Sequence, residues 1–468
     1  MKKHILDVVK LGVFCLGFLA LALFGSFHFI QTDTISAITM KEMRSREDIE
    51  LAFVGSSIVR DHFNAGLITE ETGLTSFCVT VPTASMPSSI AITKEMYRTS
   101  SPEWVVLVTE PYNFETVRES TEAQYKLMPY LSDPANMLDY YMRTCDEDGF
   151  YLDRLFMQRG FGAENPSDII KTFGMRYFPN HTFERLAPSL DPTIKYQGSG
   201  FLRHETDARA DALIRAGVIR EYTGYTYELL KGSREQLRLY KQLCEDNGSK
   251  LLVAIYPNHT AHGLAEPGFL DYNQSLMDFC QELEIPCVNF SFAKPELMPN
   301  LDGYFFDLYH MVGEGADILS RSVARVFNML SAGEDVGHLF YATTKEYLAS
   351  IDFITNTWIS RYESGDEWNH AWEQDQKRVK DLSKTQDVYM ADCNHGPSVT
   401  AEYRFVLRNE DGSETLLQDY GVDTLYACEP DALKGKTLRV YARVRNGNPE
   451  EHWYDLVIPE ESSLDRWA

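Results

Sequence analysis

Continuous apolar runs alternate with amphipathic stretches from residue 49 onward. Three of these runs predict buried β-strands: residues 49–55 (IELAFVG), 74–81 (LTSFCVTV) and 103–110 (EWVVLVTE). Apolar and polar residues do not alternate in these runs, as they would in a strand with one solvent-exposed face. The runs therefore fit strands that are buried on both faces. An amphipathic stretch at 88–98 predicts a helix between the second and third runs. This alternation predicts an α/β fold with a parallel sheet between helices.

The same alternation returns near residue 233. Ser233 and Gln236 have the spacing of a helix-capping box, and Gly248 marks the end of that helix. The elements predicted after it are a strand over 250–257, a helix near 271–284, a short strand over 286–290 and a last helix through 315–330. Ligands of such sheets bind beyond the carboxyl ends of the strands, so candidate chemistry is sought there.

Two regions depart from this pattern. Residues 118–232 are rich in Tyr, Phe, Met and Arg and include YQGSGFLRHE at 196–205. They predict a mostly helical insertion over the strand ends, where a lid or an acceptor-binding surface would lie, although a purely structural insertion fits equally well. Residues 333–386 predict a charged, helical connector.

The C-terminal region, residues 387–460, consists of short strand-like runs. Tyr403, Phe405 and Leu407 alternate with polar residues, and NEDG at 409–412 predicts a hairpin turn. Short alternating strands at this spacing predict a small β-sandwich. The pattern resembles the immunoglobulin-like modules of bacterial surface proteins. For this region we favour a role as a structural spacer over glycan binding.

An uncharged apolar stretch at residues 11–30 follows Lys2, Lys3 and Lys10. Twenty residues at 1.5 Å rise span about 30 Å, the thickness of a membrane's hydrocarbon core. Residues 1–31 therefore predict a single-pass membrane anchor. Because the lysines precede it, we expect a cytoplasmic N-terminus and an extracytoplasmic catalytic domain.

Charge and cysteine content narrow the function classes. The net charge of −25 (44 basic minus 69 acidic residues) argues against nucleic acid as a partner. The eight cysteines show neither metal-ligand spacing nor a disulfide framework, so no metal and no cofactor is expected. Whether Cys393 and Cys428 form a disulfide stays open at this point.

Two short stretches carry candidate chemistry. The first strand ends in Gly55-Ser56-Ser57, and Asp307 precedes His310 by three positions just before the last helix. A serine that attacks an ester needs a base to take its proton and a group that orients the base. A neutral histidine held by a nearby carboxylate meets both needs at neutral pH. A helix-capping aspartate beside an incidental surface histidine is the simpler alternative.

Together the two stretches resemble the SGNH (GDSL-like) hydrolases. Residues 54–73 (VGSSIVRDHFNAGLITEETG) are similar to a membrane-anchored bacterial branch in which Gly-Ser-Ser replaces Gly-Asp-Ser. This branch includes the teichoic-acid D-alanylation protein and the alginate O-acetylation proteins. Residues 307–323 (DLYHMVGEGADILSRSV) are similar to the closing block of the family, D-x-x-H-x-x-x-x-G-A. The resemblance covers roughly residues 49–330, within a domain expected over 45–332.

The resemblance implies a flavodoxin-like three-layer α/β sandwich and a catalytic triad. In that triad Ser57 is the nucleophile, His310 the base and Asp307 its orienter. The family's oxyanion glycine is absent, and Thr80 occupies its place. Asn113, slightly displaced, corresponds to the family's oxyanion asparagine.

Arg60 follows Ser57 closely and is expected either at the substrate rim, facing an anionic group, or as a surface residue. Val59 holds the place of the second glycine of a G-x-S-x-G elbow, which disfavours an α/β-hydrolase.

The sequence thus predicts a membrane-anchored serine esterase or O-acyltransferase that works through an acyl-serine intermediate. By resemblance, its substrate is a surface glycan or teichoic acid, and its partner is a membrane-bound O-acyltransferase. A deacetylase would use the same residues. The alternative from another class is a catalytically weak or inactive scaffold or binding protein of a surface-polysaccharide modification system, which the missing oxyanion glycine favours.

Overall fold

The structure is a computed structural model that describes most of the chain. The described residues are 2–29, 35–82, 84–110, 112–115, 127–144, 193–210, 229, 231–260, 263, 268–351, 354–362, 376–395, 400–409, 411–445 and 452–460.

Helices and strands alternate through the first three quarters of these residues, and strands dominate the last quarter. The α-helices are α1 (Lys2–Phe29), α2 (Ile35–Arg44), α3 (Ser57–His62), α4 (Ala65–Thr72), α5 (Met86–Met96), α6 (Tyr112–Glu115), α7 (Pro134–Thr144), α8 (Lys231–Asp246), α9 (Phe269–Glu282), α10 (Gly313–Ser331), α11 (Thr344–Ser350) and α12 (Gln376–Leu382). The β-strands are β1 (Leu51–Gly55), β2 (Ser76–Thr80), β3 (Trp104–Thr109), β4 (Ile194–Gly198), β5 (Phe201–His204), β6 (Lys250–Ile255), β7 (Cys287–Asn289), β8 (Ile354–Tyr362), β9 (Asp387–His395), β10 (Ala401–Arg408), β11 (Glu414–Gly421), β12 (Leu425–Cys428), β13 (Thr437–Val444) and β14 (His452–Val457).

A five-stranded parallel sheet forms the centre of the N-terminal body. Its strand order is β2-β1-β3-β6-β7. The chain therefore starts near one edge, crosses back once and then continues toward the other edge, which is the flavodoxin-like order. The predicted α/β class and the predicted parallel sheet are confirmed at this level.

Helices cover both faces of this sheet, and each face has its own apolar core. One core contains Val54, Val105 and Val253 from the sheet together with side chains of α2, α5, α7, α8 and α9. The other contains Phe53 and Val106 with side chains of α3, α4 and α10. Burial on both faces explains why the strands are apolar throughout rather than alternating.

The turn from β1 to α3 depends on Gly55. A Cβ at Gly55 would lie 2.7 Å from Val59 Cγ2 and 2.9 Å from the carbonyl oxygen of Val108. The first turn of α3 can therefore pack tightly against the end of β3 only because this position has no side chain. The close packing places the start of α3 at the carboxyl edge of the sheet.

The C-terminal strands form two antiparallel sheets, one of four strands (β11-β10-β13-β14) and one of three (β12-β9-β8). Side chains of both sheets share one apolar core, including Ile359, Tyr389, Phe405 and Val440. This arrangement agrees with the predicted β-sandwich.

Strand β8 lies inside the region predicted as a helical connector, so that prediction is wrong for Ile354–Tyr362. The buried residues Ile354, Thr357 and Ile359 of β8 pack into the sandwich, and tertiary pairing with β9 outweighs the charged composition of the flanking residues.

Part of the predicted helical insertion is a β-hairpin instead. Strands β4 and β5 pair antiparallel around a tight Gly198-Ser199-Gly200 turn in which all three residues have positive φ. The Ser199 carbonyl accepts a hydrogen bond from the Cys78 N–H (2.8 Å), which ties the hairpin to the edge of β2. Helix α7 agrees with the prediction, and residues 118–126, 145–192, 211–228 and 230 of the insertion lie outside the described residues.

Helix α1 contains most of the predicted membrane anchor. Among the residues that the structure describes, no helix combines the length and the apolar character needed to cross a membrane. The membrane anchor predicted at residues 1–31 stays a prediction. In the sandwich, Cys393 and Cys428 are free thiols, and the Cys393 Sγ lies 3.2 Å from the Tyr403 hydroxyl.

Candidate active site

Ser57 is the first residue of α3, directly beyond the carboxyl end of β1. Ser56 precedes it as the N-cap residue, and its Oγ accepts a hydrogen bond from the Ile58 N–H (3.3 Å). The Ser56 hydroxyl also donates to Glu110 Oε1 (2.7 Å) at the end of β3. The first serine thus fixes the turn, and the second, half-buried serine presents its hydroxyl at the sheet edge.

His310 is held in a short loop before α10. Asp307 Oδ1 accepts hydrogen bonds from the backbone N–H groups of Tyr309 (2.8 Å) and His310 (2.7 Å). The Phe306 N–H donates to the His310 carbonyl oxygen (2.9 Å), which closes the loop on itself. The loop conformation therefore depends on the same carboxylate that faces the imidazole.

The structure brings Ser57, His310 and Asp307 together in one chain of contacts. Ser57 Oγ lies 3.1 Å from His310 Nε2. On the other side of the ring, His310 Nδ1 lies 3.0 Å from Asp307 Oδ2 and 3.2 Å from Oδ1. A carboxylate accepts a hydrogen bond from Nδ1–H and so keeps the proton on that nitrogen, which leaves the Nε2 lone pair directed at the serine hydroxyl. This is the geometry that nucleophilic activation of a serine requires.

The protonation equilibria of this group are perturbed. Burial alone would lower the pKa of His310, but the hydrogen bond that its ring donates to Asp307 and the negative charges of Asp61 and Asp307 raise it above its ordinary value. Burial alone would raise the pKa of Asp307, yet its interactions with His310 hold it below the usual range. Asp307 is therefore ionised at neutral pH, where it can stabilise an imidazolium. Perturbed groups of this kind cluster at functional sites.

His62, the last residue of α3, ties this helix to the loop that carries His310. Its Nε2 accepts a hydrogen bond from the Met311 backbone N–H (3.0 Å), and its ring is fully buried 6.0 Å from the ring of His310. Burial and the nearby charge of His310 lower the pKa of His62 to about 3. His62 is therefore neutral at neutral pH, with its proton on Nδ1.

The partly exposed Arg60 and the buried Asp61 form an ion pair one turn beyond Ser57. Arg60 Nε lies 2.7 Å from Asp61 Oδ1, and a second guanidinium nitrogen lies 2.9 Å from Oδ2. An anionic substrate group at Arg60 would have to compete with the Asp61 carboxylate, which already accepts two hydrogen bonds from the guanidinium. The rim role of Arg60 therefore stays a prediction.

The predicted oxyanion donors lie at the carboxyl ends of β2 and β3. Thr80 is the last residue of β2, is buried and pairs with Gly55 of β1. Asn113 is also buried; its Nδ2 donates to the Ala84 carbonyl (2.5 Å), and its Oδ1 accepts from the Glu110 N–H (2.7 Å). An amide nitrogen carries two protons, so Ala84 takes only one of them. The oxyanion roles of Thr80 and Asn113 stay predictions.

Sequence reasoning missed Asp61, His62 and His204 as site residues. Asp61 follows Ser57 by four positions on a helix, which places both side chains on one face and was a usable signal. His204 reaches the site from β5, and its position depends on a hairpin that the composition of the insertion did not predict. Outside this cluster, His259 is buried with its Nδ1 4.0 Å from Asp302 Oδ1.

Comparison with models of known protein families gives no match, and comparison with curated proteins gives none either.

Proposed function

We propose that the chain is an SGNH-type serine esterase or O-acyltransferase acting on ester bonds. The observation that carries this proposal is the contact chain from Ser57 through His310 to Asp307, with 3.1 Å between Ser57 Oγ and His310 Nε2. These three residues lie at the carboxyl edge of the parallel sheet, which is where this class of fold binds ligands.

The proposed mechanism has two halves, acylation and deacylation of Ser57. His310 Nε2 takes the Ser57 proton while the serine oxygen attacks the ester carbonyl carbon. The tetrahedral intermediate collapses to an acyl-serine, and the proton passes from Nε2 to the departing alcohol. A second hydroxyl, from water or from an acceptor alcohol, then repeats these steps in reverse. Asp307 keeps the proton on Nδ1 and stabilises the imidazolium throughout.

The nature of the acceptor separates an esterase from a transferase. The family resemblance favours a surface glycan or teichoic acid as the acyl-bearing substrate and a membrane-bound O-acyltransferase as a partner. In such a system the protein would transfer an acyl group to a sugar hydroxyl, or remove one from it.

Hydrolysis of 4-nitrophenyl acetate tests the chemistry. We expect the protein to release nitrophenol with a burst equal to the enzyme concentration, because acylation precedes slower deacylation. Ser57→Ala abolishes this burst, whereas Ser45→Ala, which removes an exposed hydroxyl on the chain after α2, keeps it. A burst that persists in Ser57→Ala would contradict the proposal. Added acceptor alcohols that yield acetylated products indicate a transferase.

A scaffold or binding role is the second candidate, and the oxyanion region favours it. Thr80 ends β2 in place of a glycine, and the Asn113 amide is engaged with backbone groups on both its oxygen and its nitrogen. Loss of one oxyanion donor lowers rates by about 10²–10³-fold. A folded wild-type protein without any burst would favour the scaffold.

A further inference from the structure

We propose that Asp61 is a second carboxylate partner of His310, a positioning residue that faces Nε2 and stabilises the imidazolium formed when Ser57 loses its proton. This inference rests on the proposed serine chemistry. It assigns the Arg60–Asp61 pair to the electrostatics of the base and not to substrate binding.

Distances place Asp61 at the reacting nitrogen. Asp61 Oδ2 lies 3.8 Å from His310 Nε2, the same atom that lies 3.1 Å from Ser57 Oγ. Ser57 and Asp61 are four residues apart on α3, so one helix face presents both the hydroxyl and the carboxylate to the ring. Asp307 faces the opposite nitrogen, and the imidazole thus lies between two carboxylates.

Asp61 stays ionised although it is almost completely buried. Its side chain is only 2% exposed, and burial alone would raise its pKa. The two hydrogen bonds from Arg60, together with His204 Nε2 at 3.5 Å, instead hold the pKa of Asp61 below its usual range. A buried carboxylate persists as an anion only where such partners surround it.

The charged and titratable groups around His310 come from three elements. Helix α3 supplies Arg60, Asp61 and the neutral His62; the loop before α10 supplies Asp307; and β5 supplies His204 behind Asp61. Phe306 stacks on both His204 and His310, with ring centroids 4.5 and 5.8 Å apart, and separates the two imidazoles. The carboxylates favour the imidazolium, and Arg60 opposes it.

This arrangement has a consequence for proton transfer. As the Ser57 proton moves to Nε2, positive charge develops on the ring, and a preorganised anion 3.8 Å away lowers its energy without any rearrangement. The distance is longer than a hydrogen bond, so the Nε2–H remains directed at the serine and leaving-group oxygens.

The test is direct titration of the His310 imidazole by NMR on the full chain with labelled histidine, assigned by His310→Gln. In Asp61→Asn we expect the pKa of His310 to fall by about one pH unit or more, because an opposite charge at this distance is lost. Asp317→Asn removes a carboxylate that Arg203 binds at 2.7 Å outside this cluster, and it should leave the titration unchanged.

The outcomes separate this inference from the proposed function. An unchanged His310 titration in Asp61→Asn overturns the inference even if Ser57 forms acyl adducts. If the folded wild-type protein forms no acyl adduct, the serine chemistry is overturned. The His310 titration still shows whether Asp61 raises the pKa of the imidazole. If Asp61→Asn fails to fold because it leaves the Arg60 guanidinium unpaired, the double variant Arg60→Gln/Asp61→Asn decides, since it removes both charges: a His310 pKa that does not fall contradicts the inference. Asp61→Glu should restore a raised pKa, which a merely structural role does not require.

Discussion

Asp307 both caps the loop before α10 and orients the His310 imidazole, and one substitution distinguishes these two roles. Its Oδ1 accepts from two backbone N–H groups, and its Oδ2 lies against His310 Nδ1. Asp307→Asn can keep the backbone contacts through its carbonyl oxygen, but its NH₂ group then faces Nδ1. The imidazole proton moves to Nε2, where it blocks proton transfer from Ser57. We expect roughly a 10²–10⁴-fold loss of esterase rate with unchanged thermal stability, measured by steady-state kinetics and calorimetry.

Asp335→Asn is the matched control, because Asp335 also caps an exposed turn through a backbone N–H (Gly337, 2.9 Å) but lies outside the site. Equal losses in both variants would mean that turn capping, and not orientation of the base, explains the effect.

The pH dependence follows from the environment of His310. The base must be neutral to accept a proton, so activity falls as the pH drops through its pKa. Because Asp307 and Asp61 raise that pKa, we expect the acid limb of kcat/KM to lie above the ordinary histidine value of 6.5. A pH profile of 4-nitrophenyl acetate hydrolysis measures this limb. An acid limb at pH 5 or lower would contradict the charged environment described for the ring.

At the scale of elements, the corner between β1 and α3 determines where Ser57, the proposed nucleophile, lies. Gly55→Ala places a methyl group 2.7 Å from Val59 Cγ2 and 2.9 Å from the Val108 carbonyl. We expect a loss of about 1–3 kcal/mol in the free energy of unfolding, measured by urea denaturation, because the backbone at this corner has to move. We also expect slower acylation, since α3 carries both Ser57 and Asp61.

Gly66→Ala in the next helix is the control for this substitution. Its Cβ would lie no closer than 3.5 Å to a neighbouring atom, Asn64 Oδ1, and the position is exposed. Alanine at such a helical site stabilises by about 0.5–1 kcal/mol. Gly55→Ala that behaves like Gly66→Ala would show that the corner tolerates a side chain.

The elements that carry the proposed triad could be predicted from sequence because their signals are local. β1 is a continuous apolar run, and α10 has an apolar face that begins just after His310. Residues set by tertiary contacts could not be predicted. His204 reaches Asp61 only because the β4–β5 hairpin is tied to Cys78 of β2, and β8 is a strand only because it pairs with β9.

At the scale of the whole molecule, the sandwich and the α/β body have separate apolar cores. Phe405 and Phe53 are both fully buried, one in each core. Substitution of either phenylalanine by alanine should lower the free energy of unfolding of its own domain by about 3–5 kcal/mol. We expect Phe405→Ala to lower the melting temperature of the sandwich without changing esterase activity, and Phe53→Ala to reduce activity through the packing beneath β1.

Calorimetry combined with the esterase assay compares these two variants. Loss of activity in Phe405→Ala at a temperature where the α/β body remains folded would mean that the sandwich contributes to the active site.

Fluorophosphonate labelling followed by peptide mapping tests the central claim most directly, because the probe forms a covalent bond only with an activated serine. The account predicts one adduct, on Ser57 and not on the neighbouring Ser56, with labelling slowed about 10³-fold or more in His310→Ala. A folded protein that takes no label, or that is labelled at Ser57 equally fast without the His310 imidazole, would contradict it.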